Sequence, residues 1–383
     1  MCLPIKLLAQ QKTGYTIEGN LAGLSDGEKV IMTLITECKD TKADSAIVKN
    51  GKFILAGTVP DGPRFYYMSF EKNGKTIRLM INNGEGINIR SSSDITRMKP
   101  GFIEELVDVS GSPTNLSWTI LATVDQSYRN SLRSVYDGLR KIKDSVGFDP
   151  SLVGLLIGQK DYINKAFFHE IYSKDNGPWR TKARLMMLDD SFFPWAHHPA
   201  AFSNIYDNLD NEEKNSYYGK LFSSLNDLCA SKPFPPFSLP DPNGKLISSA
   251  DVIGKSKVTL IQFWHTDISG LKQSQEELKI AYQKYHDKGL SIVGVSSDTD
   301  TLEWRIRVQA AKFPWPNVSD LKGKDGVAET VYHEGRPRFG WHPVNVLIDT
   351  NSKIIAWDVD GIELQWYLWK YIEDKNEAKR SSK

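Results

Sequence analysis

Cysteine is scarce in this chain. Its 383 residues hold three, Cys2, Cys38 and Cys229, and no two are close enough in sequence to form a short-spaced thiol pair. Long apolar runs are also absent. None approaches the ~20 residues that a membrane-spanning helix requires, so no span is expected. Charge of one sign is missing too: the formal net charge is +1 and no domain-sized basic field is visible, which argues against a nucleic-acid partner. There is no internal repeat, and neither a cofactor nor a metal is expected. What is present is ordinary for a soluble globular chain, with 40% hydrophobic and 25% charged residues. The length suffices for roughly two to three domains.

The N-terminus, Met-Cys-Leu-Pro-Ile-Lys-Leu-Leu-Ala, reads in two ways. It is either the tail of a secretory leader cleaved after Ala9, with the true start upstream of Met1, or a frayed apolar terminus. We take residues 1–13 as the remnant of a signal peptide. Cys2 suggests a lipid-anchored cysteine, but no preceding residues supply such a motif. Without the leader, Cys38 and Cys229 remain. They are either a disulfide of an exported chain or two buried thiols acting as small apolar side chains.

Residues 14–112 carry strand-like runs at 15–19, 29–34, 52–57, 64–70, 77–81 and 87–89. Turn signals separate them, among them Asn50-Gly51, Asn73-Gly74 and Asn83-Gly84. Asn-Gly is a strong hairpin cue because both central positions take φ > 0. Short strands at regular spacing predict a small all-β sandwich. Over 113–230 the period changes: Leu116, Ile120, Leu121 and Val124, then Leu132, Val135, Tyr136 and Leu139, recur at helical spacing. Pro150, Gly177-Pro178 and Pro194 interrupt that pattern and predict several helices joined by loops. A proline-rich hinge at 231–237 follows, and beyond it the pattern is βαβ. It comprises a strand at 258–263, a helix at 270–287 stopped by Gly289, a strand at 290–295 and a helix at 299–312 capped by Thr299 or Asp300. A hairpin of 344–348 with 354–359 and a last helix at 363–374 complete it. The expected segments are therefore 14–112, 113–230, 231–376 and a disordered tail, 377–383.

The sharpest local pattern is Phe263-Trp264-His265-Thr266-Asp267-Ile268-Ser269-Gly270-Leu271 at the end of the first strand of the βαβ region. Together with Phe234-Pro235-Pro236-Phe237, with 285–296, and with His342-Pro343-Val344-Asn345-Val346-Leu347-Ile348-Asp349, it resembles the thioredoxin-like superfamily. The likeness is to exported TlpA/ResA-like disulfide oxidoreductases and their AhpC/TSA relatives. The preceding β region resembles the uncharacterised module that often precedes such domains. The resemblance implies an α/β thioredoxin-like C-terminal domain, preceded by the small sandwich and a helical segment, in an exported protein of the periplasm or cell envelope.

In that family a Cys-x-x-Cys pair follows Phe-Trp. Its first thiolate attacks a substrate disulfide and its second resolves the intermediate. Here the two positions are Ile268 and Leu271, and neither can do this. Gln262 stands where thioredoxins carry a buried acid. A Thr-x-x-Cys turn of the peroxiredoxin kind reads Thr266-Asp267-Ile268-Ser269, and an unactivated serine is a poor replacement for a thiolate. The reading is a redox-inactive domain that binds a peptide or protein of the cell envelope in the groove beside Pro343, which the resemblance makes a cis-proline. His342, Trp264, His265, Asp267, Ser269 and Gly270 are expected around it. The helix start near Ser269 and Gly270 offers a weak anion site, with Asp267 expected to fill it as N-cap. The alternative is a thiol-disulfide oxidoreductase or peroxiredoxin-type enzyme using an unplaced cysteine such as Cys229. A third, weaker reading joins His265, Asp267 and His342 as a metal or acid–base set. His197-His198 reads as a surface pair. Most tryptophans of the last domain are expected in the core, with Trp315 and Trp341 the more exposed.

Overall fold

The computed structural model describes residues 14–35, 41–60, 62–97, 99–103, 106–145, 147–172, 207, 209–217, 219–220, 223, 231–328 and 344–374. Of 121, 122, 124, 125, 168–172, 212 and 324 only the backbone is described. The described residues divide into two compact units, 14–123 with 209–220, and 124–172 with 207, 223 and 231–374.

The first unit is built on two sheets. Strands β1 (Tyr15–Leu21), β4 (Lys52–Gly57), β7 (Gly86–Ser91) and β9 (Asp108–Ser110) form one, in the order β4-β1-β7-β9. Strands β2 (Lys29–Leu34), β3 (Thr41–Ile47), β5 (Arg64–Phe70), β6 (Lys75–Ile81) and β8 (Gly101–Phe102) form the other, in the order β3-β2-β5-β6-β8. Strict alternation along β1 puts Tyr15, Ile17 and Leu21 inside. They share one core with Val30, Met32, Phe53, Met68, Phe70, Ile77 and Ile89. The Asn50-Gly51 turn has φ of +51° and +69°, the left-handed pair that its sequence favours. Strand β3, Thr-Lys-Ala-Asp-Ser-Ala-Ile, was not expected. It carries no apolar alternation because it is an edge strand, paired only to β2, with no residue fully buried. Polar side chains there also discourage pairing with another chain.

Helix α1 (Pro113–Ser145) starts against this sandwich. Ser112 Oγ accepts from the Asn115 N–H and donates to Glu85, while Asn115 Oδ1 accepts from the Met80 N–H. Proline at the first helical position follows the usual preference. Leu116 and Ile120, part of the predicted stripe, are exposed. A short helix, α3 (Asn211–Asn215), has a capping box between Asp210 and Glu213.

In the second unit the remainder of α1 packs against α2 (Pro150–Tyr172). Gly147 at φ +79° turns the chain between them, and Asp149 Oδ1 accepts from the N–H groups of Ser151 and Leu152. Pro150 therefore begins a helix rather than merely ending one. The α/β region comprises a hairpin of β10 (Ser238–Pro240) with β11 (Leu246–Ser248), a short helix α4 (Ser249–Val252), and a five-stranded sheet. The sheet order is β14 (Asn317–Ser319), β13 (Leu290–Ser296), β12 (Val258–Trp264), β15 (Val344–Asp349), β16 (Ile354–Trp357). β12 is central and buried at every residue, as its continuous apolar run requires. It runs parallel to β13 and antiparallel to β15. Helices α5 (Leu271–Tyr285) and α7 (Gly361–Leu368) cover the sheet through Leu278, Ala281, Tyr285, Leu364 and Leu368. Helix α6 (Thr301–Ala311) is capped by Asp300, which accepts from the Glu303 N–H.

Trp315 is buried, contrary to expectation. Flanking prolines suggested a loop tip, but the segment runs into β14 and its ring lies 5.5 Å from Tyr282 and 5.4 Å from Phe313. Tyr371 of the last helical turn, expected inward, is exposed, while Ile372 is buried.

Several buried groups make both units sensitive to base. Burial, then Tyr66 and Asp44, push Tyr15 up to about 12. Burial by itself would lower the Lys160 ammonium, but the Glu363 carboxylate at 2.9 Å overrides it and holds it above its ordinary value. Burial, then Glu363, raises Tyr367. A folded value above the unfolded one gives stability that is full below the unfolded value and is lost as pH rises beyond it. Urea melts are therefore expected to weaken above pH ~10, where unfolded tyrosine and lysine titrate. Tyr15→Phe should flatten the loss between pH ~10 and about 12 in the first unit. Equal midpoints at pH ~8 and ~11 would contradict this.

Candidate functional site

Strand β12 ends at Trp264, and residues 265–270 turn the chain into α5. The Ile268 N–H bonds the His265 carbonyl at 3.2 Å, and the Leu271 N–H reaches the Ile268 carbonyl at 3.4 Å. Gly270 is the N-cap, at φ +73°. That left-handed conformation suits glycine, and it leaves the cap without a side chain. Asp267 is therefore not the cap that the sequence suggested: it lies three residues too early and points its exposure to solvent.

Ile268 and Leu271 are each 5% exposed. They form an apolar cluster with Trp264, Trp304 of α6, Val308 and Leu321. The two positions that the resemblance aligns with a dithiol are thus core positions here. Trp264, expected at the binding surface, is 0% exposed and forms part of that buried cluster instead. His265 is half-buried, and Ser269 and Gly270 are exposed.

Beneath the turn Gln262 and Asn345 form a neutral, hydrogen-bonded pair. Gln262, on β12, donates from Nε2 to Ser274 Oγ at 3.0 Å and to Asn345 Oδ1 at 3.3 Å. Asn345 Nδ2 donates to the Val359 carbonyl. Beside the turn, Asp298 Oδ1 accepts from the Thr266 N–H at 2.8 Å, and Asp298 Oδ2 accepts from Ser296 Oγ at 2.7 Å. This carboxylate fixes the turn against the end of β13. Its role was missed in the sequence because residues 266 and 298 are 32 positions apart.

An open cleft of about 570 Å³ lies over the turn. Thr266, Ile268, Gly270 and Leu271 line it, with Lys272, Gln273 and Glu276 of the first turns of α5 and Arg307 of α6. Lys272 and Arg307 were not singled out by the sequence, since solvated cations on two separate helices carry no local signal.

His342, Pro343 and Trp341 lie outside the described residues, as do Cys2, Cys38, Cys229, His197 and His198. The expectations of a cis bond at Pro343, of a Cys38–Cys229 pairing and of an aromatic loop at 192–199 therefore fall outside the described residues. β15 begins at Val344, opposite Phe263 of β12. Among the described residues no group of three or more His, Cys, Asp or Glu is placed to hold a metal ion. No described helix is long and apolar enough to cross a membrane.

Comparison with known proteins agrees with this architecture. Residues 230–357 match the AhpC/TSA family. The chain belongs to that family of thioredoxin-like proteins through this domain. Residues 15–118 match a domain of unknown function, DUF4369. Solved structures similar to the AhpC/TSA domain include the C-terminal domain of a Bacteroides thetaiotaomicron protein assigned as a thiol-disulfide oxidoreductase. The two are 30% identical over 38% of this chain and 96% of that one, with a TM-score of 0.34. A thiol-disulfide oxidoreductase of Bacteroides fragilis is 27% identical over 36% of this chain and 98% of that one, with a TM-score of 0.33. The thioredoxin domain of a thiol-disulfide oxidoreductase of Bacteroides vulgatus is 26% identical over 38% and 99%, with a TM-score of 0.34. No curated protein matches the chain.

Proposed function

We propose that the AhpC/TSA domain of this protein is silent in thiol-disulfide exchange and binds a peptide or protein of the cell envelope over the degenerate turn. The reading rests on one observation: both dithiol positions are hydrocarbon side chains packed into the Trp264–Trp304 cluster. A thiol exchange needs a thiolate at this corner, and the sequence has no cysteine between 230 and 383. The binding surface in this reading comprises His265, Asp267, Ser269 and Gly270, with His342 and Pro343 from the segment that precedes β15. Placement in the periplasm or cell envelope follows the resemblance to exported TlpA/ResA-like proteins.

Insulin reduction by dithiothreitol tests it. The wild-type protein is expected to give the rate of the uncatalysed control, and so are Cys229→Ser and a fully alkylated sample. Turnover comparable to that of a dithiol relative, abolished by Cys229→Ser, would establish the enzyme reading in its place.

A further inference from the structure

The cleft over the turn has a charge pattern that peptide binding alone does not require. We propose that it takes an acidic segment, with a carboxylate seated between Lys272, Arg307 and the first turn of α5; this rests on the peptide-binding reading above. Four observations converge. The N-cap of α5 is Gly270, with no side chain to accept from the first-turn N–H groups. These orphan donors, at the positive end of a 15-residue helix, favour an anion. Thr266 forms part of the cleft, is 7% exposed, and its Oγ1 has no hydrogen-bond partner. Buried hydroxyls are normally paired, so this one is left for a ligand acceptor. Lys272 and Arg307 are exposed cations with no ion pair among the described residues. The carboxylate that lines the cleft, Glu276, is held by Lys279 at 2.8 Å and leaves them uncompensated.

The floor adds a second requirement. Ile268 and Leu271 present hydrocarbon at the base of the cleft. A segment with an aliphatic residue beside its Asp or Glu meets both the floor and the cations. Arg307 also suits a carboxylate geometrically, since its planar fork donates two parallel hydrogen bonds.

Fluorescence anisotropy with the full chain tests this, using labelled acidic octapeptides, their Asn/Gln counterparts, and inorganic phosphate as competitor. The acidic peptides are expected to bind about tenfold more tightly than the amides, a difference of about 1.4 kcal/mol. Lys272→Gln/Arg307→Gln, both exposed positions, should erase that preference, and added salt should weaken it. Thr266→Val should lower acidic-peptide affinity several-fold. Equal binding of acidic and amide peptides, or an unchanged preference in the double variant, overturns the acidic assignment while leaving peptide binding intact. Binding of neither peptide overturns both. Phosphate binding without peptide binding makes this a small-anion site and also overturns the proposal.

Discussion

Glu363→Ala is expected to destabilise the second unit by about 3–5 kcal/mol. Glu363 accepts from Lys160 Nζ through both carboxylate oxygens, at 2.9 and 3.0 Å, across 203 residues of sequence. The two side chains are 14% and 8% exposed. Burial denies the ammonium its water shell, and the carboxylate is what keeps it charged. Removing Glu363 leaves an uncompensated buried cation between α2 and α7, which is why the loss exceeds the worth of the pair itself. The same junction holds Trp366, whose Nε1 donates to the Pro150 carbonyl, and Ile362, packed on Val135, Leu139 and Val153. Two comparisons isolate the cause. Asp161→Ala removes the exposed i,i+4 partner of Lys165 and should cost no more than ~0.5 kcal/mol. Replacing both members, Lys160→Met with Glu363→Leu, should recover most of the loss, because no buried charge remains. Urea melts followed by tryptophan fluorescence report all three. A Glu363→Ala loss no larger than that of Asp161→Ala would mean that the pair is solvated in solution.

The second large effect is a gain. Ile268→Cys/Leu271→Cys is expected to reduce insulin where the wild type does not. The substitution places two thiols at the turn that leads into a 15-residue helix, where the dipole and the uncapped N–H groups favour a thiolate. The new pair would attack an insulin disulfide, resolve to its own disulfide and be reduced again by dithiothreitol. Its rate should fall below that of a natural dithiol relative, since Gln262 offers a neutral amide where a buried acid would exchange protons. The gain carries a structural cost. Two buried aliphatic side chains shrink within the cluster of Trp264, Trp304, Val308 and Leu321, at roughly 2–3 kcal/mol together. If the variant folds, alkylates at both thiols and still fails to exceed the control, thiols at these two positions do not suffice for exchange. The proposed silence would then have a further cause in the surrounding scaffold.

Much of this was legible in the sequence because local chemistry sets local structure. Alternating apolar residues mark β1, β4, β5 and β6, and Asn50-Gly51 marks a turn, since period and φ preference are properties of a few adjacent residues. That residues 268 and 271 carry hydrocarbon side chains and no thiol needs no coordinates at all. Where a residue depends on something distant, the local signal misleads. Strand β3 looks like a polar loop because an edge strand has no second partner to demand apolar side chains. Trp315 looks exposed between two prolines, yet Tyr282 and Phe313 lie over it. Asp267 has the chemistry of an N-cap but stands before Gly270, which holds the position by its left-handed backbone.

Strands β1, β2 and β4 to β7, the βαβ order of the second unit and the hydrocarbon side chains at Ile268 and Leu271 were thus legible in the sequence alone. Only the tertiary structure decided that the replaced positions are buried under Trp304, that Lys160 meets Glu363, and that Arg307 joins Lys272 over one cleft. The physical reason is chain closure. Periodicity states which face of an element must leave water, but the element that covers it, and the charges brought together at its end, depend on how distant segments pack.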